Sequence, residues 1–324
     1  MTSDNILICG GAGYVGSALT SQILRETDFK VTVFDQLLYG GDSLYPFFNY
    51  VDRFKFIQGD LRTYDLDELL NNMDYVVNLV GLVGEPICKK FPKEAQEINF
   101  DANIKLAKKA EERSIHRYIF TSTCSNYGLS MSNKMLDENA KLDPISLYAE
   151  TKVNSEKILL EQLPKLQTIV LRCATAYGLS SRIRFDLLLH EFIRDAWTKS
   201  KIYVYGAESW RPIVHVDDIA RAILLGIKNN DSLDKKEVYN VGSNDQNFQK
   251  KSLAELVSNR LKTNIEITAT KKDPRNYKVL FDKFTKELKF ETLHKPAETI
   301  DQIAYALESG LIDDKVLFES VNVK

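Results

Sequence analysis

The stretch Asn5-Ile6-Leu7-Ile8-Cys9-Gly10-Gly11-Ala12-Gly13-Tyr14-Val15-Gly16 decides the fold. It runs from a short apolar strand into a glycine-rich turn, and residues 17–26 continue with the apolar spacing of a helix. Gly10 permits the tight turn, Gly13 lets the backbone approach a pyrophosphate, and Gly16 permits close packing of the helix on the strand. Because a helix N-terminus attracts negative charge, the stretch predicts a dinucleotide-binding turn.

Further apolar runs alternate with helical patterns along the chain. We predict strands at 30–34, 54–57, 75–80, 118–120, 168–172 and 238–242, and helices at 66–72, 94–113 and 217–227. This alternation predicts a parallel sheet covered on both faces, which is an α/β fold of the doubly wound, Rossmann type. Ligands of such folds bind at the carboxyl ends of the strands. The residues at those ends are Gly10, Asp35, Asp60, Gly81 and the hydroxyl-rich run Thr121–Ser125.

Asp35 indicates which dinucleotide binds. A carboxylate at the end of the second strand accepts hydrogen bonds from both hydroxyls of an adenosine ribose. It repels a 2′-phosphate, and no arginine follows it to bind one. The sequence therefore favours NAD over NADP.

The composition excludes several other classes of protein. The 324 residues are 44% apolar and 27% charged with a net charge of −2, and no basic stripe indicates nucleic acid. Four cysteines lie far apart without metal-site spacing, so we expect reduced thiols and no metal. No apolar run approaches the ~20 residues that cross a bilayer. The first strand leaves no room for a signal peptide, so we predict a cytoplasmic protein without membrane partners.

Tyr148 and Lys152 lie four residues apart in a helical pattern, so they share one face of a helix. An ammonium held near a phenol favours the phenolate and lowers a pKa that starts near 10. Such a pair acts as a general base close to neutral pH. Together with the glycine turn and the strand end at Thr123, the pair predicts a catalytic centre.

These motifs resemble those of the extended short-chain dehydrogenase/reductase family, in particular its nucleotide-sugar epimerases and dehydratases. The matching pieces are Gly10-x-x-Gly13-x-x-Gly16, Asp35, Gly59-Asp60-Leu61, Asn99, Thr121-Ser-Thr-Cys-Ser-Asn-Tyr-Gly128, Tyr148-x-x-x-Lys152, Arg172 with Tyr177-Gly178, and Arg211-Pro-Ile-Val-His-Val-Asp-Asp218. The resemblance implies NAD as the cofactor and a nucleotide-diphosphate sugar as the substrate. It also implies a homodimer through the helices at 94–113 and 148–162.

The resemblance assigns roles to individual residues. Tyr148 would exchange a proton with a sugar hydroxyl, Lys152 would lower its pKa and hold the nicotinamide ribose, and Thr123 would hydrogen-bond the reacting oxygen. The implied cofactor-binding residues are Gly10, Gly13, Tyr14, Val15, Gly16, Asp35, Asp60, Leu61, Gly81, Asn99, Tyr148 and Lys152. The implied substrate-binding residues are Thr123, Ser125, Thr175, Arg184, Arg211 and Arg275.

The second half of the chain resembles the family's substrate-binding part. The implied division is a Rossmann domain at 1–172, to which 213–242 return, and a smaller C-terminal substrate-binding cap at 173–212 and 243–324. Arg182 and Arg184 precede a helix and suit a diphosphate. Arg275 is a candidate for a second pyrophosphate clamp, and we interpret His215 as a structural histidine.

The two positions after Thr123 distinguish the reactions of this family. Its 4,6-dehydratases have Asp-Glu there, whereas this chain has Cys124 and Ser125, which argues against elimination of water. We interpret Cys124 as a packing residue. Three reactions remain open: epimerisation at C4, release of the ketone by a dehydrogenase, and reduction of a supplied ketone. The intact catalytic residues argue against a non-catalytic NAD-binding protein, and the arginines argue against a reductase of neutral, non-sugar carbonyls.

Overall fold

A parallel seven-stranded sheet organises the structure, a computed structural model that describes residues 4–130, 134–228, 236–268 and 274–319. The strands are β1 (Asn5–Cys9), β2 (Lys30–Asp35), β3 (Phe54–Gln58), β4 (Tyr75–Asn78), β5 (Arg117–Thr123), β6 (Thr168–Cys173), β7 (Thr175–Tyr177), β8 (Lys201–Tyr205), β9 (Trp210–His215), β10 (Glu237–Val241), β11 (Asn247–Gln249) and β12 (Asn264–Thr268). The large sheet has the order β10-β6-β5-β4-β1-β2-β3, and all its paired strands are parallel. The order reverses between β1 and β4, which opens a crevice at their carboxyl ends. The predicted α/β, Rossmann-type sheet is confirmed.

Helices cover both faces of this sheet. They are α1 (Tyr14–Glu26), α2 (Leu66–Leu69), α3 (Glu85–Lys90), α4 (Pro92–Gln96), α5 (Asn103–Glu112), α6 (Leu147–Glu161), α7 (Leu188–Lys199), α8 (Val216–Lys228), α9 (Lys250–Leu261), α10 (Asp282–Leu288), α11 (Pro296–Glu308) and α12 (Asp314–Glu319). α1 and α8 pack on one face, against Ile8 and Val33. α5 and α6 pack on the other, against Leu7 and Phe120. Because both faces are buried, the strand ends keep a fixed register.

A second, smaller core lies outside the large sheet. Strands β7, β9 and β11 form a three-stranded sheet, and β8 pairs with β12. α7, α9 and α11 contribute Phe192, Leu253 and Ile303 to this core. α10 instead packs on the large core through Phe284, although the predicted division assigns it to the cap. The division into a Rossmann domain and a cap therefore stays a prediction. The packing of α10 on the large core does not fit the predicted boundaries.

The predicted helix at 94–113 is helical throughout but changes type along its length. A π-helical stretch, Glu97–Ala102, lies between α4 and α5. Such stretches are rare and are frequent at functional sites. β12 is not among the predicted strands, although Ile265 and Ile267 alternate with polar residues as in a half-buried strand.

Within the described parts of the chain, no helix combines the length and the apolar character needed to cross a bilayer.

Candidate active site

A cleft of about 800 Å³ runs along the carboxyl ends of the large sheet and is bordered by the second core. The predicted residues that line it are Gly10, Gly13, Tyr14, Val15, Gly16, Asp35, Asp60, Leu61, Gly81, Thr123, Ser125, Tyr148, Lys152, Thr175, Arg184, Arg211 and Arg275. The volume lies in the range of cofactor and ligand sites. Segments that are distant in sequence thus meet at one cavity, as expected for the switch point of an open parallel sheet.

The glycine turn requires its glycines. Gly10 has a φ of +85°, a conformation that strains any residue with a side chain, and a Cβ on Gly16 would lie 2.3 Å from the carbonyl oxygen of Gly10. α1 begins directly after Gly13, with neither a side-chain cap nor an acidic residue in its first turn. Since the first N–H groups of a helix have no intrahelical partner, this helix start attracts an external anion. The turn therefore fits the diphosphate of a dinucleotide.

Asp35 lies beside the glycine turn at the end of β2. Its Oδ2 accepts a hydrogen bond from the backbone N–H of Ala12 at 3.0 Å, and its Oδ1 accepts one from Leu37 at 2.8 Å. Burial raises the pKa of this carboxyl above its ordinary value, and the two backbone N–H groups oppose the rise. Each carboxylate oxygen accepts more than one hydrogen bond, so acceptor sites remain for ribose hydroxyls.

Asn99 does not line the cleft. It is fully buried in the π-helical stretch, where its Oδ1 accepts a hydrogen bond from the backbone N–H of Leu82 at 2.7 Å. Its Nδ2 donates to the carbonyl oxygen of Leu82 at 3.0 Å. Asn99 therefore supports the backbone of the segment after β4 from behind. Its side chain does not lie at the cofactor surface that the resemblance implies.

Tyr148 and Lys152 lie in the first two turns of α6 and both line the cleft. Ser146 caps this helix by accepting a hydrogen bond from the backbone N–H of Ala149 at 3.3 Å. The ammonium of Lys152 donates to the carbonyl oxygen of Thr121 at 2.8 Å. α6 is thus tied to the end of β5, and the two predicted catalytic side chains are held at that strand end.

Burial opposes the predicted lowering of the pKa of Tyr148 by Lys152, which stays a prediction. Burial raises the pKa of Tyr148 above its ordinary value of 10, and the cations that oppose this rise are Arg184 and Arg275. Burial also lowers the pKa of Lys152 to about 8. The physical reason is that desolvation of the phenol outweighs the surrounding positive charge.

Thr123 ends β5 and caps a short 3₁₀ helix, Cys124–Tyr127, by accepting a hydrogen bond from the backbone N–H of Ser125 at 3.1 Å. Because the hydroxyl acts there as an acceptor, its proton stays available to a ligand in the cleft. Cys124 is buried, and its Sγ lies 3.2 Å from the carbonyl oxygen of Arg172. Burial raises the pKa of the Cys124 thiol well above its usual range, which supports the predicted packing role.

A buried ion pair behind this strand end is missing from the sequence predictions. Arg172 and Glu156 lie 2.7 Å apart, with side chains that are 6% and 3% exposed. Glu156 also accepts hydrogen bonds from Ser122 and Asn126. The pair joins α6, β5 and β6 directly behind Thr123. Arg172 stands in a matched motif, but its partner is revealed only when the helix is placed on the sheet.

Arginines from separate segments also line the cleft. Arg184 pairs with Asp186 at 2.6 Å. Arg275 donates to the hydroxyl of Ser125 at 3.1 Å, and Arg211 donates to the carbonyl oxygen of Arg275. This placement brings Arg275 to the end of β5, which carries Thr123. The combined positive charge suits an anionic substrate such as a diphosphate.

Several other cleft residues are not predicted, among them Tyr39, Arg62 and Lys250. Arg62 pairs with Asp60 at 2.6 Å. Its position directly after the end of a strand is a signal from which the sequence could have identified it as a cleft residue. Lys250 begins α9 and donates to the carbonyl oxygen of Tyr205 at 3.3 Å. No motif marks Lys250, because only the folding of the second core brings it to the cleft.

His215 is buried and stacks on His294, with ring centroids 4.1 Å apart. Its Nδ1 accepts a hydrogen bond from the backbone N–H of Asp217 at 3.2 Å, and burial lowers its pKa to about 4. The side chains of His215, Asp217 and His294 offer metal-ligating atoms within 4.8 Å of one another. The two rings are nearly parallel, however, so their nitrogens do not point to a common centre. This geometry supports the predicted structural role of His215.

Comparisons with known proteins identify the family of this chain. A model of the NAD dependent epimerase/dehydratase family matches residues 6–242. A Bacillus subtilis (strain 168) protein described as "Uncharacterized UDP-glucose epimerase YtcB" is 29% identical over 232 residues, which cover 67% of this chain and 71% of that protein.

Solved structures share the fold. MoeE5, in complex with UDP-glucuronic acid and NAD, has a TM-score of 0.81 at 22% identity, over 94% of this chain and 99% of MoeE5. DesIV, a dTDP-glucose 4,6-dehydratase from Streptomyces venezuelae with NAD and TYD bound, has a TM-score of 0.81 at 22% identity, over 98% and 100% of the two chains. At this identity the similarity shows the fold alone.

Proposed function

Since the chain belongs to the NAD-dependent epimerase/dehydratase family, we propose that it oxidises C4 of a nucleotide-diphosphate hexose or heptose and reduces the resulting ketone from the opposite face. The product is then the C4 epimer. The observation that carries this proposal is that Thr123, Tyr148 and Lys152 line the same cleft as the glycine turn, with Lys152 hydrogen-bonded to the end of the strand that carries Thr123.

NAD has a binding surface in the cleft's floor. The start of α1 would hold its diphosphate, Asp35 the adenosine ribose, and Lys152 the nicotinamide ribose. Bound there, NAD would accept a hydride from the sugar carbon and place a positive charge beside the phenol.

Tyr148 supplies the proton transfer. Oxidation of the sugar hydroxyl would leave its proton on the phenolate of Tyr148, and the resulting phenol, whose pKa burial raises, would return that proton to the ketone oxygen on reduction. Taking a proton from a sugar hydroxyl requires the phenolate, which Arg184 and Arg275 stabilise. Thr123 donates to the same sugar oxygen and orients it, and the Arg172–Glu156 pair holds the strand end that carries Thr123.

Elimination of water would need a further acid and base at the sugar. Cys124 and Ser125 occupy the two positions after Thr123; Cys124 is turned into the core, and Ser125 bonds Arg275. Neither side chain is a carboxylic acid, which supports epimerisation over 4,6-dehydration. A 4-dehydrogenase or a 4-ketoreductase would use the same three residues, so the fate of the ketone separates these reactions.

The test is incubation with a panel of UDP-, dTDP-, GDP- and CDP-sugars, with and without added NAD. The mass of the product and the absorbance of reduced nicotinamide are both followed. An epimerase leaves the mass unchanged and accumulates no reduced cofactor. A product lighter by two hydrogens would show a dehydrogenase, and one lighter by a water molecule would overturn the role given to Cys124 and Ser125.

We also infer a homodimer formed through α5 and α6, by analogy with the family. α5 and α6 pack side by side on one face of the large sheet, so a second copy can meet them with the same pair. Light scattering tests this inference, and a monomer at micromolar concentration would refute it.

A further inference from the structure

At the end of the π-helical stretch Glu97–Ala102, the side chain of Asn103 takes over a hydrogen bond from its own backbone. In a regular α-helix the backbone N–H of Asn103 would donate to the carbonyl oxygen of Asn99. Here that N–H donates to Phe100, and the Nδ2 of Asn103 donates to the carbonyl oxygen of Asn99 at 2.9 Å. The π-helical stretch thus fixes the amide of Asn103 at the point where α5 begins.

The amide of Asn103 also binds the end of β4. Its Oδ1 accepts a hydrogen bond from the Nδ2 of Asn78 at 3.0 Å, and its Nδ2 donates to the carbonyl oxygen of Val80 at 3.4 Å. The Oδ1 of Asn78 accepts from the backbone N–H of Val80 at 3.1 Å, and its Nδ2 donates to the hydroxyl of Tyr118 at 2.7 Å. Asn78 and Asn103 are 0% and 2% exposed. Because an unpaired amide is costly when it is buried, these bonds hold residues 80–82, here called the wall segment, against the helix.

Two further hydrogen bonds connect this network to Lys152. The carbonyl oxygen of Asn78 accepts from the hydroxyl of Thr121 at 2.9 Å, and the carbonyl oxygen of Thr121 accepts from the ammonium of Lys152 at 2.8 Å. Gly81, in the wall segment, and Lys152 both line the cleft, whereas Asn78 and Asn103 lie behind it. A chain of hydrogen bonds therefore joins the start of α5 to two surfaces of the cleft, the wall segment and the amine.

The chemistry of asparagine matches this position. A primary amide offers two N–H donors and an oxygen that accepts. The partners of Asn103 are two carbonyl oxygens, those of Asn99 and Val80, and one donor, the Nδ2 of Asn78. A leucine of similar size would leave these partners without their hydrogen bonds, and an aspartate would place its carboxylate against two carbonyl oxygens. The network thus depends on the amide and not on the volume of the side chain.

We propose that Asn103 is a positioning residue for hydride transfer, because it sets the distance between the wall segment and Lys152 and thereby the position of the nicotinamide ribose. The inference rests on the proposed function in taking NAD as the cofactor and Lys152 as the residue that holds this ribose. Asn103 lies behind the cleft and acts through Asn78 and Thr121. A misplacement of about 1 Å lowers the rate of a reaction by roughly 10²-fold, so loss of the network should lower turnover although every reacting group is kept. The adenosine half of NAD, at the glycine turn and Asp35, should bind as before.

The experiment compares the binding of NAD with the binding of ADP, which lacks the nicotinamide and its ribose. Wild type, Asn103→Leu and Asn103→Asp are freed of bound nucleotide and titrated with each ligand by calorimetry. We expect both variants to bind NAD roughly tenfold more weakly than wild type and to bind ADP within about twofold of wild type. With the nucleotide sugar identified by the panel, kcat should fall by roughly 10²-fold, while the KM for the nucleotide sugar stays within about threefold.

Asn247 supplies the matched control. Its side chain also makes hydrogen bonds to a separate segment of backbone: its Oδ1 accepts from the N–H of Val279 at 2.8 Å, and its Nδ2 donates to the carbonyl oxygens of Val279 at 3.0 Å and of Asn244 at 3.2 Å. Neither Asn247 nor Val279 lines the cleft. Asn247→Leu should therefore also lower the midpoint of thermal unfolding, but it should bind NAD and ADP as wild type does and keep the wild-type kcat.

A milder variant tests the network even if Asn103→Leu does not fold. Thr121→Val removes the hydrogen bond to the carbonyl oxygen of Asn78 and leaves the buried amides paired, so NAD should bind about threefold more weakly, with ADP unchanged. Equal losses of affinity for NAD and ADP would overturn the proposal, because they would indicate a general loss of structure. Wild-type affinity for NAD in a folded variant at either position would overturn it as well. A loss confined to NAD, in a protein that turns over no nucleotide sugar, would keep this inference and refute the proposed function.

Discussion

The two walls of the cleft are built in different ways. One wall, here called the sheet wall, consists of the strand ends of β1 to β6 and the start of α6. The hydrogen bonds between parallel strands hold its side chains in register. The other wall, here called the cap wall, takes its side chains from separated segments of the chain. These are residues 175–191, 205–211, 250 and 275. Single hydrogen bonds, such as those from His190 to Arg184 and from Arg211 to Arg275, hold these segments together.

The charges differ as well. The sheet wall carries the phenol, the hydroxyl and the amine proposed for chemistry, whereas all guanidiniums that line the cleft except that of Arg62 lie in the cap wall. This difference teaches that turnover and substrate affinity should be separable. Substitutions in the sheet wall should change kcat, and substitutions in the cap wall should change KM.

The largest effect is expected in the sheet wall. Tyr148→Phe removes the proton donor and should lower kcat by roughly 10³-fold, about 4 kcal/mol, while NAD binding is preserved. Steady-state kinetics on the nucleotide sugar identified by the panel, together with NAD titration, measures both quantities. Turnover retained within tenfold would show that another group carries the proton and would remove the chemical distinction between the walls.

The second prediction concerns the buried amine of Lys152. The unfolded chain keeps this proton up to its usual pKa of 10.5, whereas the folded chain loses it above about 8. Between these values the unfolded state binds more protons, so the free energy of unfolding should rise with pH. Relative to Lys152→Met, we expect the wild type to gain at most about 3 kcal/mol from pH 7 to 10.5.

Urea unfolding at pH 7, 8, 9 and 10 measures this difference. Cysteines and tyrosines also titrate in this range, but they are common to both proteins and cancel in the comparison. A difference that stays constant across the series would mean that burial does not depress the pKa of Lys152.

The third prediction tests the cap wall. Arg211→Lys keeps the charge but loses the forked geometry, so the KM for the nucleotide sugar should rise about 30-fold, corresponding to about 2 kcal/mol, with little change in kcat. Arg260→Lys, on the surface of α9, is the control and should behave as wild type. If kcat falls as far in Arg211→Lys as in Tyr148→Phe, substrate affinity and turnover do not belong to separate walls.

The smallest effect is expected next to Thr123, the threonine proposed to take part in the chemistry. Cys124 directly follows Thr123 but is turned into the core, against the carbonyl oxygen of Arg172. Cys124→Ala should therefore cost about 1 kcal/mol of stability and leave kcat within about twofold of wild type. Thermal unfolding and kinetics measure the two effects. A large loss of activity in a folded Cys124→Ala variant would reveal a thiol with a part in the chemistry.

The residues of the sheet wall can be predicted from the sequence because they belong to local motifs. A strand, a glycine turn and a helix place Gly10 and Asp35 at the crevice once the sheet is parallel. The pKa of Tyr148 does not follow, because desolvation depends on the whole fold. Glu156 is found only after α6 is packed on β5 and β6.

The cap wall follows less completely for the same reason. Arg182 and Arg184 are visible in the sequence as a pair that suits a diphosphate. The loop that carries them is held by hydrogen bonds of Gly178 to Tyr14, which is more than 160 residues away, and to His190, which is about 12 residues away. No local sequence pattern predicts these contacts.

The π-helical stretch at Glu97–Ala102 sets the phase between two hydrophobic surfaces. Ala95 and Ile98, before and within it, pack with Leu82, whereas Leu106 and Ala107, after it, pack on the large sheet. One residue advances a helix by about 100°, so deleting any single residue from this stretch would rotate one surface away from its partner. The π-helical stretch thus works as an angular spacer, through which one continuous helix packs against both the Leu82 cluster and the large sheet.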